Sequence, residues 1–180
     1  MTMPRPHIPY RNPGNFPHQE FTFSQTAVRA GIRNQPAEWQ WEILEGLAKD
    51  VLQPARNELG PIRITSGYRS PALNRRVGGS GKSDHMILER PKAPLKRPCA
   101  ADISPAGNFL LLDLFGYIHD NLPWARLIWE FGRWVHVSYD AAGVPTGRER
   151  FLLEAKHVNK SGRRIVEYSV LDPSDLSKLV

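Results

Sequence analysis

The chain carries one cysteine, Cys99, in 180 residues, so no intramolecular disulfide can hold it. The fold has to be secured without a covalent framework, and a secreted disulfide scaffold is excluded. The composition is adequate for that: 41% of residues are hydrophobic and 23% charged, which suits a globular chain long enough to bury a sizeable core. Apolar runs are short. The strongest, Phe109 to Leu112, stops at Asp113, far below the ~18 residues of a membrane span, so no transmembrane segment is expected. The start, MTMPRPHIPYRNPGN, is proline-rich and lacks the apolar stretch of a conventional secretory signal.

The patterning then places the elements. Prolines 4, 6, 9, 13 and 17 mark residues 1–20 as an extended arm. Ser24 suits an N-cap for a helix over Gln25 to Ala30, ended by Gly31. Asn34 to Leu59 reads as the main helical region, with Pro36 in its first turn and an apolar stripe at Leu44, Leu47, Ala48, Val51, Leu52 and Ala55. Pro54 should kink or restart it near Gln53. Strand character begins at Ile62 to Thr65, and a short helix is expected around Pro71 to Arg76. The basic segment ERPKAPLKRP, residues 89–98, reads as a surface loop. Cys99 to Ile103 is a strand, Asn108 to Asn121 a helix, and Arg126 to Glu130 with Arg133 to Tyr139 a hairpin. Phe151 to Ala155 and Arg164 to Val170 are further strands, split by a turn at Asn159 to Gly162. Helices first and strands later predict an α+β fold, with N-terminal helices packed on a small antiparallel sheet.

A net charge of +6 draws the chain toward polyanions: nucleic acid, an anionic cell wall or a membrane surface. It also simply aids solubility, and charge does not separate these readings. The basic loop and KHVNKSGRR lack any recognised nucleic-acid reader motif, so no nucleic-acid partner is expected.

Of six histidines, His7 and His18 fall in the arm and read as solvated, His119 closes a helix, and His157 precedes a turn. His85 follows a glycine-rich loop, and His136 sits mid-strand among aromatic and β-branched neighbours, where an imidazole is costly to bury unless something binds it. Asp102 ends an apolar strand and needs a cation, a metal or several N–H groups. Two histidines and a carboxylate with an open fourth position form a catalytic zinc set; satisfied core histidines are the alternative. Cys99 could be a thiolate ligand, although a buried inert thiol is the plainer reading.

The ordered stretches ITSGYRSPALNRRVGGSGKSDH, CAADI and LIWEFGRWVHVSY resemble the phage-type branch of the zinc D-Ala-D-Ala carboxypeptidase and L-alanyl-D-glutamate endopeptidase family. FTFSQTAVRAGIRNQP and the helix ending VLQPARNELG extend the resemblance to roughly residues 21–155. It implies the Hedgehog/D,D-peptidase fold, a Zn2+ cofactor and a peptidoglycan substrate. Its zinc ligands fall on His85, Asp102 and His136. Its substrate-contacting arginine falls on Arg69, and Ser83 matches the serine before the first histidine. Tyr68, Asn74 and the Gly78-Gly79 pair read as architectural. The chain then divides into the arm 1–20, a zinc peptidase-like domain 21–155, and a C-terminal strand and tail extension 156–180.

Two positions depart from the family pattern. His85 and Asp102 stand 17 residues apart, more than is usual there, and the excess matches the 89–98 loop, expected on the cleft rim with Lys92, Lys96 and Arg97 solvated. The acid that several relatives place three residues before the last histidine is here Arg133, which cannot take a proton. Glu130 replaces it if the hairpin loop is Phe131-Gly132-Arg133, because Glu130 then opposes Trp134 and shares the face of His136. A two-residue loop would turn Glu130 away. Asp140, on the same strand parity as His136, is the reserve base. The expected function is a zinc-dependent, endolysin-like peptidoglycan peptidase. The rival is a non-catalytic phage virion or cell-wall-binding protein retaining the fold, with phage particle components as partners. Synthesis in a cytoplasm is expected, with action on the wall after release or delivery on a particle.

Overall fold

The computed structural model describes residues 14–89, 97–140 and 151–179. The chain enters the core sooner than an extended arm would. Phe16 is fully buried, and α1, His18–Thr22, follows at once, burying Phe21. Proline 17 directs this turn by preceding a helix. His18 is not solvated, because it stacks on Trp41 with ring centroids 3.7 Å apart. His7 lies outside the described residues.

Helix α2, Gln25–Ala30, forms as its caps require. Ser24 Oγ accepts from the Ala27 N–H at 3.3 Å, and Gly31 closes the helix at φ 61°. The main helical region starts at Glu38 and not at Asn34. A residue before proline is pushed out of the helical region, so Gln35-Pro36 stays extended. The Gln40 side chain accepts from the Ala37 N–H at 2.9 Å. Helix α3, Glu38–Leu47, passes into a π-helical turn, Ala48–Leu52, and then α4, Gln53–Leu59. The wide turn sits directly before Pro54, and the Gln53 N–H reaches back to the Ala48 carbonyl. The apolar stripe faces inward: Leu44, Leu47, Ala48, Val51, Leu52 and Ala55 are all buried.

Strand β1 is Ile62–Ser66, α5 Pro71–Arg76, β2 Pro98–Pro105, α6 Leu111–Asn121, β3 Arg126–Glu130, β4 Trp134–Asp140, β5 Phe151–Lys160 and β6 Arg163–Val170. Short 3-10 turns occupy Asp84–Met86 and Pro173–Leu179. Helix α6 begins at Leu111, three residues after the expected start, where the Asp113 carboxylate accepts from the Leu110 N–H at 2.8 Å. Strand β5 outruns its expected end at Ala155, crosses into the C-terminal extension, and carries His157 in its middle, stacked on Phe131.

The strands form one six-stranded sheet in the order β1-β2-β4-β3-β5-β6. It is mixed, which corrects the expectation of an antiparallel sheet: β3 and β5 are parallel, and every other neighbouring pair is antiparallel. The cause is crowding at β4. That strand already has β2 and β3 beside it, so β5, which starts at the end of the sheet where β4 stops, takes the free edge of β3. Starting there, it must run with β3.

Alternation then gives the sheet two unlike faces. Cys99, Ala101 and Ile103 of β2, Leu127 of β3 and Val135 and Val137 of β4 are fully buried in the core that the α3 and α6 helices share. The opposite face carries Asp102, Ile128, Glu130 and His136, and it opens to a cavity.

Candidate metal centre

Asp102 and His136 meet because they are direct register partners of β2 and β4. His85 arrives from the other side, on the 3-10 turn after the glycine-rich loop, and several bonds seat that turn. The Arg69 N–H donates to the His85 carbonyl at 2.9 Å, and Gln40 Nε2 reaches the carbonyls of Met86 and Ile87, each at 3.2 Å. Asn34 holds the SGYR segment, donating to the Tyr68 carbonyl at 2.9 Å and accepting from the Ser70 N–H at 2.7 Å. Gly67 has no substitute, since a Cβ there would lie 2.5 Å from the Phe21 carbonyl oxygen. Asn74 anchors the loop at the Ser80 carbonyl, and a Cβ on Gly79 would strike the Asn74 amide, so these positions are architectural as expected.

The three side chains offer ligand atoms that all lie within 4.8 Å of one another. Asp102 Oδ1 is 3.2 Å from His85 Nε2 and 2.9 Å from His136 Nδ1. His85 Nδ1 lies 2.7 Å from the Gly67 carbonyl, which can only accept, so Nδ1 is the donor of that bond and Nε2 is the nitrogen turned toward the cluster. All three residues are buried. Two imidazoles and a carboxylate converging this closely, with an open cavity beside them, form a ligand set that suits zinc.

The electrostatics follow from the packing. Burial by itself would raise the Asp102 carboxyl, but the charge and hydrogen bonds of His85 and His136 reverse this and hold it well below the usual carboxylate range. Burial would lower His136, yet its hydrogen bond to Asp102 and the nearby carboxylates leave it raised. Glu130 is raised, chiefly by burial and further by the Asp102 charge, with His136 and the Trp134 hydrogen bond opposing.

Glu130 stands where the three-residue loop puts it. Phe131 and Gly132 adopt φ 57° and 66°, Glu130 pairs with Trp134, and Trp134 Nε1 donates to Glu130 Oε2 at 2.7 Å. Its side chain lines the same cavity as His136. Asp140 does not line it. That residue is buried opposite Pro98, four residues and so about 13 Å along β4 from His136, where it accepts from the Arg97 N–H at 3.2 Å. Arg69 is at the centre, bonding Asp102 Oδ2 through Nη2 at 3.0 Å and Ser66 Oγ through Nε at 3.0 Å. Ser83 lines the cavity directly before the 3-10 turn. Cys99 is on the opposite face of its strand with Sγ toward the Ile43 carbonyl, and burial pushes its thiol far up, so it is no ligand.

The cavity measures about 480 Å³. Its lining residues include Asp84, Arg126 and Tyr168, which have no counterpart among the sequence candidates. Asp84 is buried and ion-paired to Arg126, and Tyr168 comes from β6. Arg126 shares the strand parity of Glu130, so its place was readable; Tyr168 depends on the β3–β5 pairing, which leaves no local signal. Of the 89–98 loop, Glu89, Arg97 and Pro98 are described: Glu89 and Arg97 form an exposed ion pair of 3.2 Å, Pro98 is instead buried as the first residue of β2, where it pairs with Asp140, and none of the three lines the cavity. Lys92 and Lys96 lie outside the described residues. No helix among the described residues is long and apolar enough to cross a membrane.

A family model described as Peptidase M15 matches residues 14–138. No curated protein matches the chain at a significant level.

Proposed function

Because the chain belongs to the peptidase M15 family, a family of zinc-dependent metallopeptidases, we propose that it hydrolyses an amide bond in the peptide stem of peptidoglycan. The observation that carries this reading is the convergence of His85, Asp102 and His136 on a cavity that also holds Glu130. His85 Nε2, Asp102 Oδ1 and His136 Nδ1 would hold the zinc, which supplies Lewis acidity to the scissile carbonyl and lowers the pKa of a bound water. Glu130 then takes the proton of the attacking water and hands it to the leaving amine. A carboxyl raised by burial suits both steps, since it holds a proton better than an exposed one. Arg69 holds Asp102 through Nη2 and lines the cavity, and its guanidinium would donate to the oxyanion of the tetrahedral intermediate. Ser83 binds the substrate beside His85. The +6 charge favours approach to an anionic wall.

The test is elemental analysis for zinc together with release of new amino groups from purified peptidoglycan. One bound zinc per chain with release of amines supports the reading. Zinc without hydrolysis would instead favour a wall-binding or virion protein that keeps the fold.

A further inference from the structure

Rows of register partners cross the sheet. Asp102, His136, Ile128, Leu153 and Val170 form one such row, from the metal centre to the outer edge. Two residues along each strand lies a second row: Trp134, Glu130, Ala155 and Tyr168. A two-residue step returns to the same face, so both rows belong to the cleft side. Leu153 and Tyr168 indeed line the cavity with the candidate ligands and Glu130. Both belong to the β5–β6 hairpin, which lies beyond residue 138, where the family match ends.

Ala155, between Glu130 and Tyr168, is completely shielded from solvent. A methyl group on a cleft face achieves this only when taller neighbours lean over it. Glu130 and Tyr168, on strands two spacings or about 9.5 Å apart, are those neighbours in the row. Tyr168 thus stands at one end of the cavity, facing Glu130. It is 54% exposed, and β6 is exposed along its whole length, so neither is held in place by core packing.

We propose that the β5–β6 hairpin is the outer wall of the substrate cleft. Leu153 and Tyr168 contact the substrate residue next to the scissile amide and favour an apolar side chain there. A peptide with its carbonyl at the metal centre, lying along the first row, sets that neighbouring side chain over Ile128 and Leu153. Tyr168 flanks it, with its ring for packing and its hydroxyl for the peptide backbone. The proposal rests on the peptidoglycan reading above.

The experiment uses the full zinc-loaded chain and soluble muropeptides cut from purified wall by a glycosidase, with affinity from calorimetry and kinetics on the same material. Tyr168→Ala is expected to weaken affinity and raise KM roughly tenfold, the worth of about one good contact, while kcat stays within about twofold. Zinc content and thermal midpoint should not move, and Tyr168→Phe should recover most of the affinity. Unchanged affinity and KM in Tyr168→Ala overturn the wall, as does a fall in kcat alone. A wild type that cleaves muropeptides while the variant matches it keeps the peptidase reading and removes the wall. A wild type that binds muropeptides without cleaving them removes the peptidase reading, and the affinity comparison still decides the wall. Neither binding nor cleavage removes both.

Discussion

Glu130 lines the cavity of the metal centre and Arg69 bonds one of its ligands, and their chemistry makes their variants fail differently. Glu130 is bonded to Trp134 and supplies none of the three converging ligand atoms, so Glu130→Gln preserves shape, fold and zinc. Turnover should fall by about 10²–10⁴, the usual worth of a positioned general base, as measured by amine release at matched zinc content. Near-normal turnover would take the base role from Glu130, and the buried Asp140 is too far along β4 to inherit it. Arg69 has two tasks. Its Nη2 holds Asp102 Oδ2, and under the proposed mechanism its guanidinium also donates to the substrate. Arg69→Ala should slow turnover by roughly 10²–10³, the range found for loss of one oxyanion donor. It should also weaken zinc retention under chelator challenge, because Asp102 loses the partner that orients it. A variant with full turnover would reduce Arg69 to a loop-stabilising cation.

Between elements, the register of one hairpin decides whether a base faces the metal, and a π turn decides how the helices meet the sheet. Tyr139 of β4 donates from its hydroxyl to Asp50 Oδ2 at 2.8 Å, tying the strand to the π turn. Burial, then the Asp50 hydrogen bond and charge, push this phenol up to about 12 from an ordinary value of 10.0. A raised folded-state value stabilises the neutral form. The contribution is therefore complete below pH 10, shrinks as pH rises, and is gone above about pH 12. Tyr139→Phe should cost about 1 kcal/mol at neutral pH and remove the stability slope between pH 10 and 12, both read from urea melts. A slope that survives in the variant would assign it to another group.

What the sequence disclosed was local. The Ser24 and Gly31 caps and the short helix opened by Pro71 follow short-range rules, and each element formed in its place, whereas the loop after Glu130 is open between two and three residues in the sequence and is settled by the strand register. His85, Asp102 and His136 were legible because imidazole and carboxylate on apolar segments demand a partner. Less legible was whatever depends on distant neighbours. Phe16 is buried only because the rest of the core is there to receive it, and β5 is parallel only because β4 has no free edge. Tyr168 inherits its place from that pairing. No periodicity or turn residue encodes such choices.

The whole molecule divides its labour across the sheet: helices and core on one face, cleft on the other. The candidate zinc ligands come from three separate stretches, His85 before the 89–98 loop, Asp102 on β2 and His136 on β4, and the unfolded chain does not hold them together. A metal that binds the folded form alone must therefore stabilise it by mass action. Zinc at about one hundred times its dissociation constant should add about 2.7 kcal/mol, and for a chain of this size the thermal midpoint should rise by about 5–10 °C. A chelator should reverse the rise. His136→Ala should abolish it, because the variant removes a ligand and leaves Asp102 facing a single imidazole. Glu130→Gln, in contrast, should keep the full zinc-dependent rise while losing turnover, which separates holding the metal from using it. A wild-type midpoint that ignores zinc at every concentration would mean the His85–Asp102–His136 cluster is a satisfied polar core and no metal site.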